Sequence, residues 1–401
     1  MLKAKRIVLG VSGGIAAYKV ADLASKLVQA GALVDVIMTE GAQKFVTPLT
    51  FQAITKRPVR TDIYADWLGE DTGHVGLAHN ADLLVVAPAT AHTIARMALG
   101  LSDDLLCAVY LSTHAPVLLV PAMETGMFMH AATQEHIETL RRRGATAMQP
   151  GEGHLASGAT GVGRLPEVPE IMAAIEQLLG KGGVLAGKHV VVTAGGTQEP
   201  IDPVRYVGNR SSGKMGYAIA GAALNEGAEV TLISGPVAIA PPHGVRYVQV
   251  STARQMQEAV TEAVRGADAL VMAAAVADYA PLEVSEQKIK KTGDTLALTL
   301  GRNPDILGEL AGAHLPNLVR VGFAAETDSL LANAREKLAK KKLDLIVAND
   351  AVSSIGRESS ALTLIGRDGF IEELPPMPKG ESARILVERL AKLLEKAGNQ
   401  P

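Results

Sequence analysis

The sequence of 401 residues has little cysteine, few aromatic side chains and no excess of positive charge. Its one cysteine, Cys107, excludes a disulfide framework and any zinc site built from several cysteines. Seven Tyr, five Phe and one Trp are too few to build stacking platforms for single-stranded nucleic acid. The 39 basic and 42 acidic side chains leave a net charge of -3, which is unlike that of a protein that mainly binds polyanions. We therefore expect no nucleic-acid partner.

Long hydrophobic runs are also absent from the sequence. The longest, Leu83 to Ala89 and Ala269 to Ala277, fall well short of the roughly 20 residues that a membrane span needs. The N-terminus has a basic start, but its apolar run breaks at Gly10, so we interpret it as a first strand rather than a signal peptide. Together with the single cysteine, these features predict a cytoplasmic protein without a membrane partner.

Apolar runs that alternate with helical patterns make up most of the sequence, which is 47% hydrophobic. In the first half, strands are predicted over 6–11, 34–38, 81–87 and 116–120, and a helix over 15–28. In the second half, strands are predicted over 189–193, 229–234, 269–274, 319–323 and 343–348, followed by a hairpin over 361–374 and a helix over 382–394. Continuous apolar strands with helical crossovers are typical of parallel sheets covered on both faces.

A glycine-rich segment, LGKGGVLAGK at 179–188, interrupts this alternation. A chain of this length predicts two or three domains, and we place the boundary in this segment, between residues 1–185 and 186–401. The predicted fold class is α/β, with two three-layer doubly wound domains.

The first predicted strand runs into a glycine loop, GVSGGIAAY at 10–18, which opens a helix. Backbone N–H groups at a helix N-terminus form an anion site, and Ser12 would add a hydroxyl. The loop is not the dinucleotide fingerprint, because that pattern would need glycine at 12 and 15. A phosphate cradle and a tight turn without a ligand both remain open.

Hydroxyl side chains follow the next predicted strands at Thr39, Thr90 and Thr93. Ligands of an open parallel sheet bind beyond the carboxyl ends of its strands, where these residues and Ser12 would meet. Hydroxyls without a strong positive charge suit a mononucleotide phosphate and a ribityl chain. His74, in a loop nearby in sequence, is of a type that can transfer protons near neutral pH.

In the second half, the segment GNRSSGKM at 208–215 nearly matches a P-loop. Met215 stands where a P-loop has a magnesium-binding hydroxyl, which argues against a true P-loop. The alternative is that Asn209 and the backbone of 211–213 face an acyl phosphate. Two clusters of lysines could hold a triphosphate or could simply be solvated. They are Lys288, Lys290 and Lys291, and the pair Lys337 and Lys341, which lie four residues apart on one helix face.

The segments of the first half share a family pattern, with GVSGGIAAY at 10–18, MTE at 38–40, TGH at 72–74, APAT at 87–90 and PAM at 121–123. They resemble the flavin-dependent cysteine decarboxylases, and most of all the phosphopantothenoylcysteine decarboxylase domain. The resemblance implies a flavodoxin-like domain with His74 as the catalytic histidine. It also implies FMN contacts at Ser12, Gly13, Gly14, Thr39, Thr90 and Thr93.

Two positions depart from the decarboxylase pattern. Glu124 stands where the family has an asparagine that grips the substrate carboxylate, and an ionised Glu would repel that group. Ser157 stands where the family's flap has a cysteine proton donor, and a hydroxyl is a much weaker acid than a thiol. Either another group donates the proton, with His154 and His130 as candidates, or decarboxylation is impaired.

Longer segments of the second half carry a second resemblance, with AGGTQEPIDPVRYVGNRSSGKMG at 194–216, AAAVADY at 273–279, QKIKK at 287–291, NPDI at 303–306, VGFAAET at 321–327 and LDLIVAND at 343–350. They resemble phosphopantothenate–cysteine ligase, and the fused order is similar to that of the bifunctional coenzyme A biosynthesis proteins of bacteria. The resemblance implies a Rossmann-like ligase domain that activates 4'-phosphopantothenate with CTP and joins it to cysteine.

The ligase resemblance also implies a set of site residues. Asn209 would act on the acyl-cytidylate intermediate, Lys288 would stabilise charge on the transferring phosphoryl group, and Asp278 would bind Mg²⁺ or the ribose. The CTP contacts implied are Ala273, Ala274, Asp278, Lys288, Pro304, Asp305, Ile306, Leu307, Phe323, Lys337 and Lys341.

Three functional hypotheses follow. The chain is a decarboxylase fused to a CTP-dependent ligase, or a ligase fused to a flavin-binding domain with impaired decarboxylase activity, or a regulatory flavin- or nucleotide-binding protein without chemistry. The resemblance further implies a homo-oligomer, a dodecamer built from trimers and dimers, in which His74 would serve the flavin of an adjacent subunit.

Overall fold

The computed structural model describes residues 2–64, 73–290, 295–326, 330–350 and 357–398. The chain divides into two compact units, Met1–Leu179 and Gly180–Pro401. No helix in the described residues is both long enough and apolar enough to cross a lipid bilayer.

A parallel sheet forms the centre of the first unit. Its strands are β1 (Arg6–Val11), β2 (Leu33–Met38), β3 (Val59–Arg60), β4 (Leu83–Ala89), β5 (Val117–Pro121) and β6 (Thr146–Ala147), and a separate antiparallel ribbon contains β7 (Gly151–His154) and β8 (Thr160–Arg164). The sheet order is β3-β2-β1-β4-β5-β6. The direction of winding reverses between β1 and β4, which leaves a crevice at the carboxyl ends of these strands.

The helices of the first unit cover both faces of its sheet. They are α1 (Ala17–Gln29), α2 (Glu40–Gln43), α3 (Pro48–Thr55), α4 (Gly73–His79), α5 (Ala91–Leu99), α6 (Leu105–Ser112), α7 (Thr125–Met129), α8 (Ala131–Arg142) and α9 (Val168–Gly180). Successive residues of β1 point into two different cores, since Ile7 and Leu9 pack with α1 and α9, whereas Val8 packs with α5 and α6. This alternation produces the three layers.

The second unit contains a larger sheet and two short antiparallel ribbons. Its strands are β9 (His189–Ala194), β10 (Gln198–Pro200), β11 (Tyr206–Gly208), β12 (Glu229–Ser234), β13 (Arg246–Gln249), β14 (Ala269–Met272), β15 (Tyr279–Pro281), β16 (Leu300–Arg302), β17 (Val319–Glu326), β18 (Leu345–Asp350), β19 (Ser359–Gly366) and β20 (Ile371–Pro378). The sheet order is β13-β12-β9-β14-β17-β18-β19-β20, parallel as far as β18 and antiparallel beyond it. Strands β10 and β11 form one ribbon, and β15 and β16 form the other.

Helices again cover both faces of the second sheet. They are α10 (Lys214–Asn225), α11 (Ala253–Ala263), α12 (Ile306–Gly312), α13 (Leu330–Lys340) and α14 (Lys379–Gly398). Val190 and Val192 of β9 pack with α10 and α14, while Val191 packs with α11 and α12. Both units are therefore three-layer α/β folds with doubly wound sheets, which confirms the predicted fold class.

An aspartate closes the amino-terminal end of each sheet in the same way. Asp82, before β4, accepts hydrogen bonds from Arg6 N at 2.8 Å and from Lys5 Nζ at 2.8 Å. Asp268, before β14, accepts them from His189 N at 2.8 Å and from Lys188 Nζ at 3.0 Å. Each carboxylate satisfies the first N–H of the neighbouring central strand, so the similar segments ADLLVVAPA and ADALVMAAA perform the same structural task.

Candidate active sites at the carboxyl ends of the two sheets

A cavity of about 1140 Å³ lies beyond the carboxyl ends of β1, β2, β4 and β5 in the first unit. The loop after β1, the starts of α2 and α5, the start of α7 and the β7–β8 ribbon form its walls. Six of the predicted site residues line it, namely Gly13, Gly14, Thr39, Thr90, Thr93 and Ser157. The crevice predicted from the strand order is thus the place where these residues meet.

Ser12 lies behind the cavity wall and fixes its shape. Its side chain is fully buried, and its hydroxyl donates to Pro88 O at 2.6 Å and accepts from Thr90 N at 3.0 Å. These bonds join the turn after β1 to the turn after β4. Thr90 caps α5 through its hydroxyl and lies 3.2 Å from the hydroxyl of Thr93, so two hydroxyls are held side by side at the cavity wall.

Glycine is required where the first loop meets α2. A Cβ added to Gly13 would lie 2.7 Å from the carbonyl carbon of Gly41, so a side chain would force the two segments apart. Thr39 caps α2 by accepting a hydrogen bond from Ala42 N at 3.3 Å. The close approach brings the first glycine loop and the capping hydroxyl of Thr39 together at the cavity wall, where a phosphate group would fit.

The β7–β8 ribbon covers one side of the cavity and carries Ser157 near its exposed tip. Met123 N donates to Gly163 O at 2.9 Å, and a Cβ on Gly163 would overlap the carbonyl oxygen of Met123. The ribbon is therefore seated on the loop after β5. His154 also lines the cavity, whereas His130 caps α8 by accepting from Ala132 N at 3.2 Å and is not among the lining residues.

Glu124 lines the same cavity, but its carboxylate is engaged by the backbone. It accepts hydrogen bonds from Gly126 N at 2.6 Å and from Met127 N at 3.2 Å, and so caps α7. A carboxylate at a helix N-terminus is favoured by the aligned peptide dipoles. The residue that departs from the family pattern thus has a local structural role.

The cavity wall also contains a cluster of ion pairs that the sequence analysis did not predict. Arg96 donates to Asp103 at 2.9 Å and to Asp104 at 2.8 Å, and its side chain is 14% exposed. The hydrogen bond from Arg96 lowers the pKa of Asp103. Asp104 also caps α6 by accepting from Cys107 N at 2.8 Å. These residues are polar members of a helix and of the turn that follows it, so the sequence pattern alone predicts that they are exposed to solvent.

His74 lies at the second position of α4 and is half-buried. It is not among the residues that line the cavity of its own chain. The sequence predicted that His74 serves a flavin site, but His74 does not line the cavity of its own chain.

Two adjoining cavities, of about 590 and 440 Å³, lie at the carboxyl ends of β14 and β17 in the second unit. Residues common to both walls are Ala274, Val276, Asp278, Phe323 and Lys337. The predicted residues that line the larger cavity are Ala274, Asp278, Pro304, Asp305, Ile306, Leu307, Phe323, Lys337 and Lys341. Asn209 and Ala273 line the smaller one.

Two lysines of the α13 region reach the larger cavity. Lys337 Nζ donates to Phe323 O at 2.7 Å, and Lys341 pairs with Asp305. Asp305 also caps α12, since it accepts from Gly308 N at 3.0 Å. Burial raises the pKa of Asp305, but the hydrogen bonds from Lys341 and Gly308 N outweigh burial and lower it. The wall therefore holds two ammonium groups and an ionised carboxylate.

The smaller cavity contains Asn209 and the glycine-rich turn that follows it. The side-chain amide of Asn209 donates to Val276 O at 3.0 Å, which joins this turn to the segment after β14. The turn follows β11 of a two-stranded ribbon outside the main sheet, whereas a P-loop follows a strand of the sheet. Gly213, with a φ of 72°, is the N-cap residue before α10, and Lys214 of that helix pairs with Glu358.

Lys288 is exposed and is not among the lining residues of either cavity. Its neighbour Lys290 is exposed as well, and Lys291 lies outside the described residues. Asp278 is exposed at the mouth of both cavities. Among the described ranges, no three His, Cys, Asp or Glu side chains are grouped as ligands of a metal ion.

Two family profiles match the chain in tandem. A family described as "Flavoprotein" matches residues 1–180, and one described as "DNA/pantothenate metabolism flavoprotein C-terminal domain" matches residues 185–394. The second match covers more than half of the chain. The first part is thus a flavoprotein domain, and the second is of the pantothenate-metabolism type.

Curated relatives match almost the whole length. The coenzyme A biosynthesis bifunctional protein CoaBC of Vibrio parahaemolyticus is 45% identical over 98% of this chain and 99% of its own. The CoaBC protein of Bacillus subtilis is 44% identical over 100% of both chains. A solved structure of a CoaBC C-terminal domain is 41% identical, covers 53% of this chain and 99% of its own, and has a TM-score of 0.47. The chain therefore belongs to the CoaBC family of bifunctional enzymes of coenzyme A biosynthesis.

Proposed function

We propose that the chain joins cysteine to 4'-phosphopantothenate with CTP, and then decarboxylates the product to 4'-phosphopantetheine with FMN. The observation that carries this proposal is that each unit has its own cavity at a carboxyl-terminal sheet edge, with different chemistry. The first is lined by the glycine loop and by the hydroxyls of Thr39, Thr90 and Thr93 together with charged side chains of both signs, and the second by lysines around adjoining cavities. These are the groups that a flavin mononucleotide and a nucleoside triphosphate respectively require.

The first cavity fits FMN in size and in chemistry. It has ample volume for a cofactor, and the close approach of Gly13 to Gly41 leaves backbone N–H groups near the hydroxyl of Thr39. Thr90 and Thr93 would bind the ribityl chain. When bound, the flavin would supply a reversible two-electron oxidation of the thiol-bearing carbon of the substrate, which makes the loss of carbon dioxide possible. The protein's part is to orient both molecules under the β7–β8 ribbon.

In the second unit, the reaction would take place where the two cavities adjoin. A carboxylate oxygen of 4'-phosphopantothenate attacks the α-phosphorus of CTP, and pyrophosphate leaves. The amine of cysteine then attacks the carbonyl carbon of the acyl-cytidylate, and CMP leaves with the bonding electron pair. Amide formation from a free carboxylate needs such activation, and charge develops on the phosphate oxygens at the first step.

The wall residues would divide this work between the two cavities. Lys337 and Lys341 would bind the triphosphate in the larger cavity, beside the ring of Phe323. Asn209 would bind the acyl-cytidylate in the smaller cavity, where its amide is fixed by Val276 O. Asp278, at the shared mouth, would hold Mg²⁺ together with the nucleotide phosphates, since Mg²⁺ is often bound by one carboxylate plus substrate phosphates.

We propose that the enzyme is a homo-oligomer, such as the dodecamer that the family resemblance implies. His74 and Lys288, the two predicted catalytic residues outside the cavities of their own chain, are exposed or half-buried and would then serve sites completed by a second copy. This assembly accounts for both residues with one arrangement.

A second candidate function is a ligase fused to a flavin-binding domain that decarboxylates poorly. Ser157 favours it, because a hydroxyl replaces a thiol at the ribbon tip. Glu124 favours it too, because its carboxylate lines the substrate cavity. His154, which also lines the cavity, is the alternative proton donor.

The proposal is tested by an absorbance scan of the purified protein followed by a pyrophosphate assay. A yellow protein that releases pyrophosphate with CTP, cysteine and 4'-phosphopantothenate, and releases less with ATP, is expected. Asn209→Asp and Lys288→Gln should block amide formation without loss of the fold. Wild-type turnover by either variant would remove the role assigned to that residue.

A further inference from the structure

The segment that carries Lys288 is attached to the turn that follows β10. The amide of Ile289, the residue next to Lys288, donates to a carboxylate oxygen of Asp202 at 3.1 Å. Earlier in the segment, Ser285 N donates to Ile201 O at 3.0 Å. The exposed Lys288 therefore stands between two backbone anchors provided by one turn.

Asp202 is the centre of this attachment. It is 3% exposed, and its carboxylate also accepts from Val204 N and Arg205 N, each at 2.9 Å. The guanidinium of Arg205 donates to the same carboxylate through Nε at 2.9 Å and Nη2 at 2.6 Å. Both oxygens of a buried carboxylate are thus fully used, which makes the arrangement stiff.

Arg205 binds the carbonyl group of the same residue, Ile289. Its Nη2 also donates to Ile289 O at 2.6 Å. Asp202 accepts from the N–H of Ile289 while Arg205 donates to its C=O, so both polar groups of the residue after Lys288 are held. A lysine side chain has four rotatable bonds. Fixing the backbone beside it therefore removes a large part of the freedom of the ammonium group to change position.

We propose that Asp202 is a positioning residue for the ligase reaction, which holds the backbone at Ile289 so that Lys288 is presented to the transferring phosphoryl group. The inference rests on the proposed ligase function and names a residue to which no role in that reaction is otherwise assigned. It differs from a purely local role, in which Asp202 would only close its own turn through Val204 N and Arg205 N.

Burial alone would raise the pKa of Asp202, but the hydrogen bonds from Val204 N, Arg205 and Ile289 N outweigh burial and lower it well below its ordinary value. The carboxylate is therefore ionised throughout the neutral range. Its replacement by an amide removes the charge without a change of shape.

The first test is hydrogen exchange of the full chain at the Ile289 amide, measured by NMR or by fragmentation mass spectrometry. Asp202→Asn should accelerate this exchange by about tenfold or more, because the charge-assisted bond is lost. The matched control is Asp268→Asn, which removes a carboxylate that accepts from His189 N at the opposite end of the sheet. The control should accelerate exchange at His189 and leave Ile289 unchanged.

The second test is pyrophosphate release with CTP at saturating cysteine and 4'-phosphopantothenate. Asp202→Asn should lower kcat by about 10- to 100-fold, as a catalytic group is misplaced, and change the KM for CTP little. Asp202→Glu should restore part of kcat, and Asp268→Asn should keep it.

Unchanged exchange at Ile289 in a folded Asp202→Asn protein, or wild-type kcat in that variant, would overturn the proposal. If Asp202→Asn does not fold, Arg205→Lys answers the same question, because the single nitrogen of a lysine does not reproduce the Nε and Nη2 contacts of the guanidinium with Asp202 and Ile289 O. Exchange at the Ile289 amide and kcat for pyrophosphate release then test the proposal in that variant. A wild-type protein that releases no pyrophosphate from CTP would instead remove the proposed function, while the exchange result would still report whether the segment is held.

Discussion

Cys107, in α6, is fully buried in the core between the first sheet and its helices. Burial raises the pKa of its thiol to about 12, and the nearby Asp104 acts in the same direction. At pH 8 the thiolate fraction is then about 1 in 10,000. The thiolate is disfavoured only in the folded state, so this group lowers stability as the pH rises above the ordinary thiol value of 9.0.

We therefore predict that Cys107 is inert in the native protein. Titration with a chromogenic disulfide at pH 8 should detect no thiol in the folded chain and one thiol in denaturant. Rapid labelling of the native chain would show that α6 opens more easily than its burial implies.

Glu124→Asn should increase decarboxylation. Asn is as good an N-cap as a carboxylate, so α7 should be kept, while a negative charge is removed from the wall where the family resemblance places the substrate carboxylate. Single-turnover release of carbon dioxide from phosphopantothenoylcysteine measures the effect. Glu124→Ala is the control, because it removes both the charge and the cap, at a cost of about 1 kcal/mol in stability. A slower Glu124→Asn enzyme would contradict this account of the residue.

For single residues, the sequence patterns predicted cavity-lining residues at the ends of strands better than cavity-lining residues on helices. Thr39 and Thr90 directly follow β2 and β4, and the parallel sheet brings such positions together. Arg96 could not be predicted, because a polar residue of an amphipathic helix gives no sign that it turns toward a cavity. Lys288 was predicted, but the anchors that hold it, Asp202 and Arg205, were not, since their contact spans more than eighty residues of sequence.

Among the elements, the β7–β8 ribbon covers one side of the first cavity. Gly163→Ala should unseat it, because the added Cβ would overlap Met123 O. We expect faster trypsin cleavage after Arg164 and a decarboxylation rate about tenfold lower, since the ribbon then covers the cavity poorly.

The matched control for this change is Gly151→Ala in the same ribbon. A Cβ there would make only an ordinary contact, 3.7 Å from Arg164 O. The variant should keep the wild-type cleavage rate and the wild-type decarboxylation rate. Equal behaviour of the two variants would show that the seating at Met123 does not hold the ribbon.

Central strands were well predicted because both of their faces are buried. The predicted first strand matches β1 (Arg6–Val11), and the strand predicted over 229–234 matches β12 (Glu229–Ser234). The hairpin with Asp368-Gly369 at its turn is also confirmed, with a φ of 86° at Gly369. The ribbons β10–β11 and β15–β16 were missed, because strands of three residues at the surface carry no hydrophobic period.

At the scale of the whole molecule, two leucines near the boundary between the units belong to different cores, so their substitution can test where the boundary lies. Leu178 is 6% exposed and packs in a core of the first unit, whereas Leu185 is 0% exposed and packs in a core of the second. Leu185 N also donates to Glu226 O at 2.9 Å. Residues just before the predicted domain start at 186 therefore contribute to the second core.

We predict that Leu185→Ala destabilises only the second unit, by about 2–5 kcal/mol, the cost of truncating a buried leucine. Thermal loss of ligase activity should then occur at lower temperature, while flavin release keeps its wild-type midpoint. Leu178→Ala should have the reverse effect. A shift of both midpoints by either variant would mean that the units do not unfold independently.

We propose that one chain holds two different sites, and that the first unit decarboxylates the product of the second. The most direct test is to supply 4'-phosphopantothenate, cysteine and CTP to the purified protein and to measure pyrophosphate and carbon dioxide in the same sample. The account predicts that both are released, in equal final amounts, with pyrophosphate first. Pyrophosphate without carbon dioxide would leave only the ligase, and release of neither product would contradict the account.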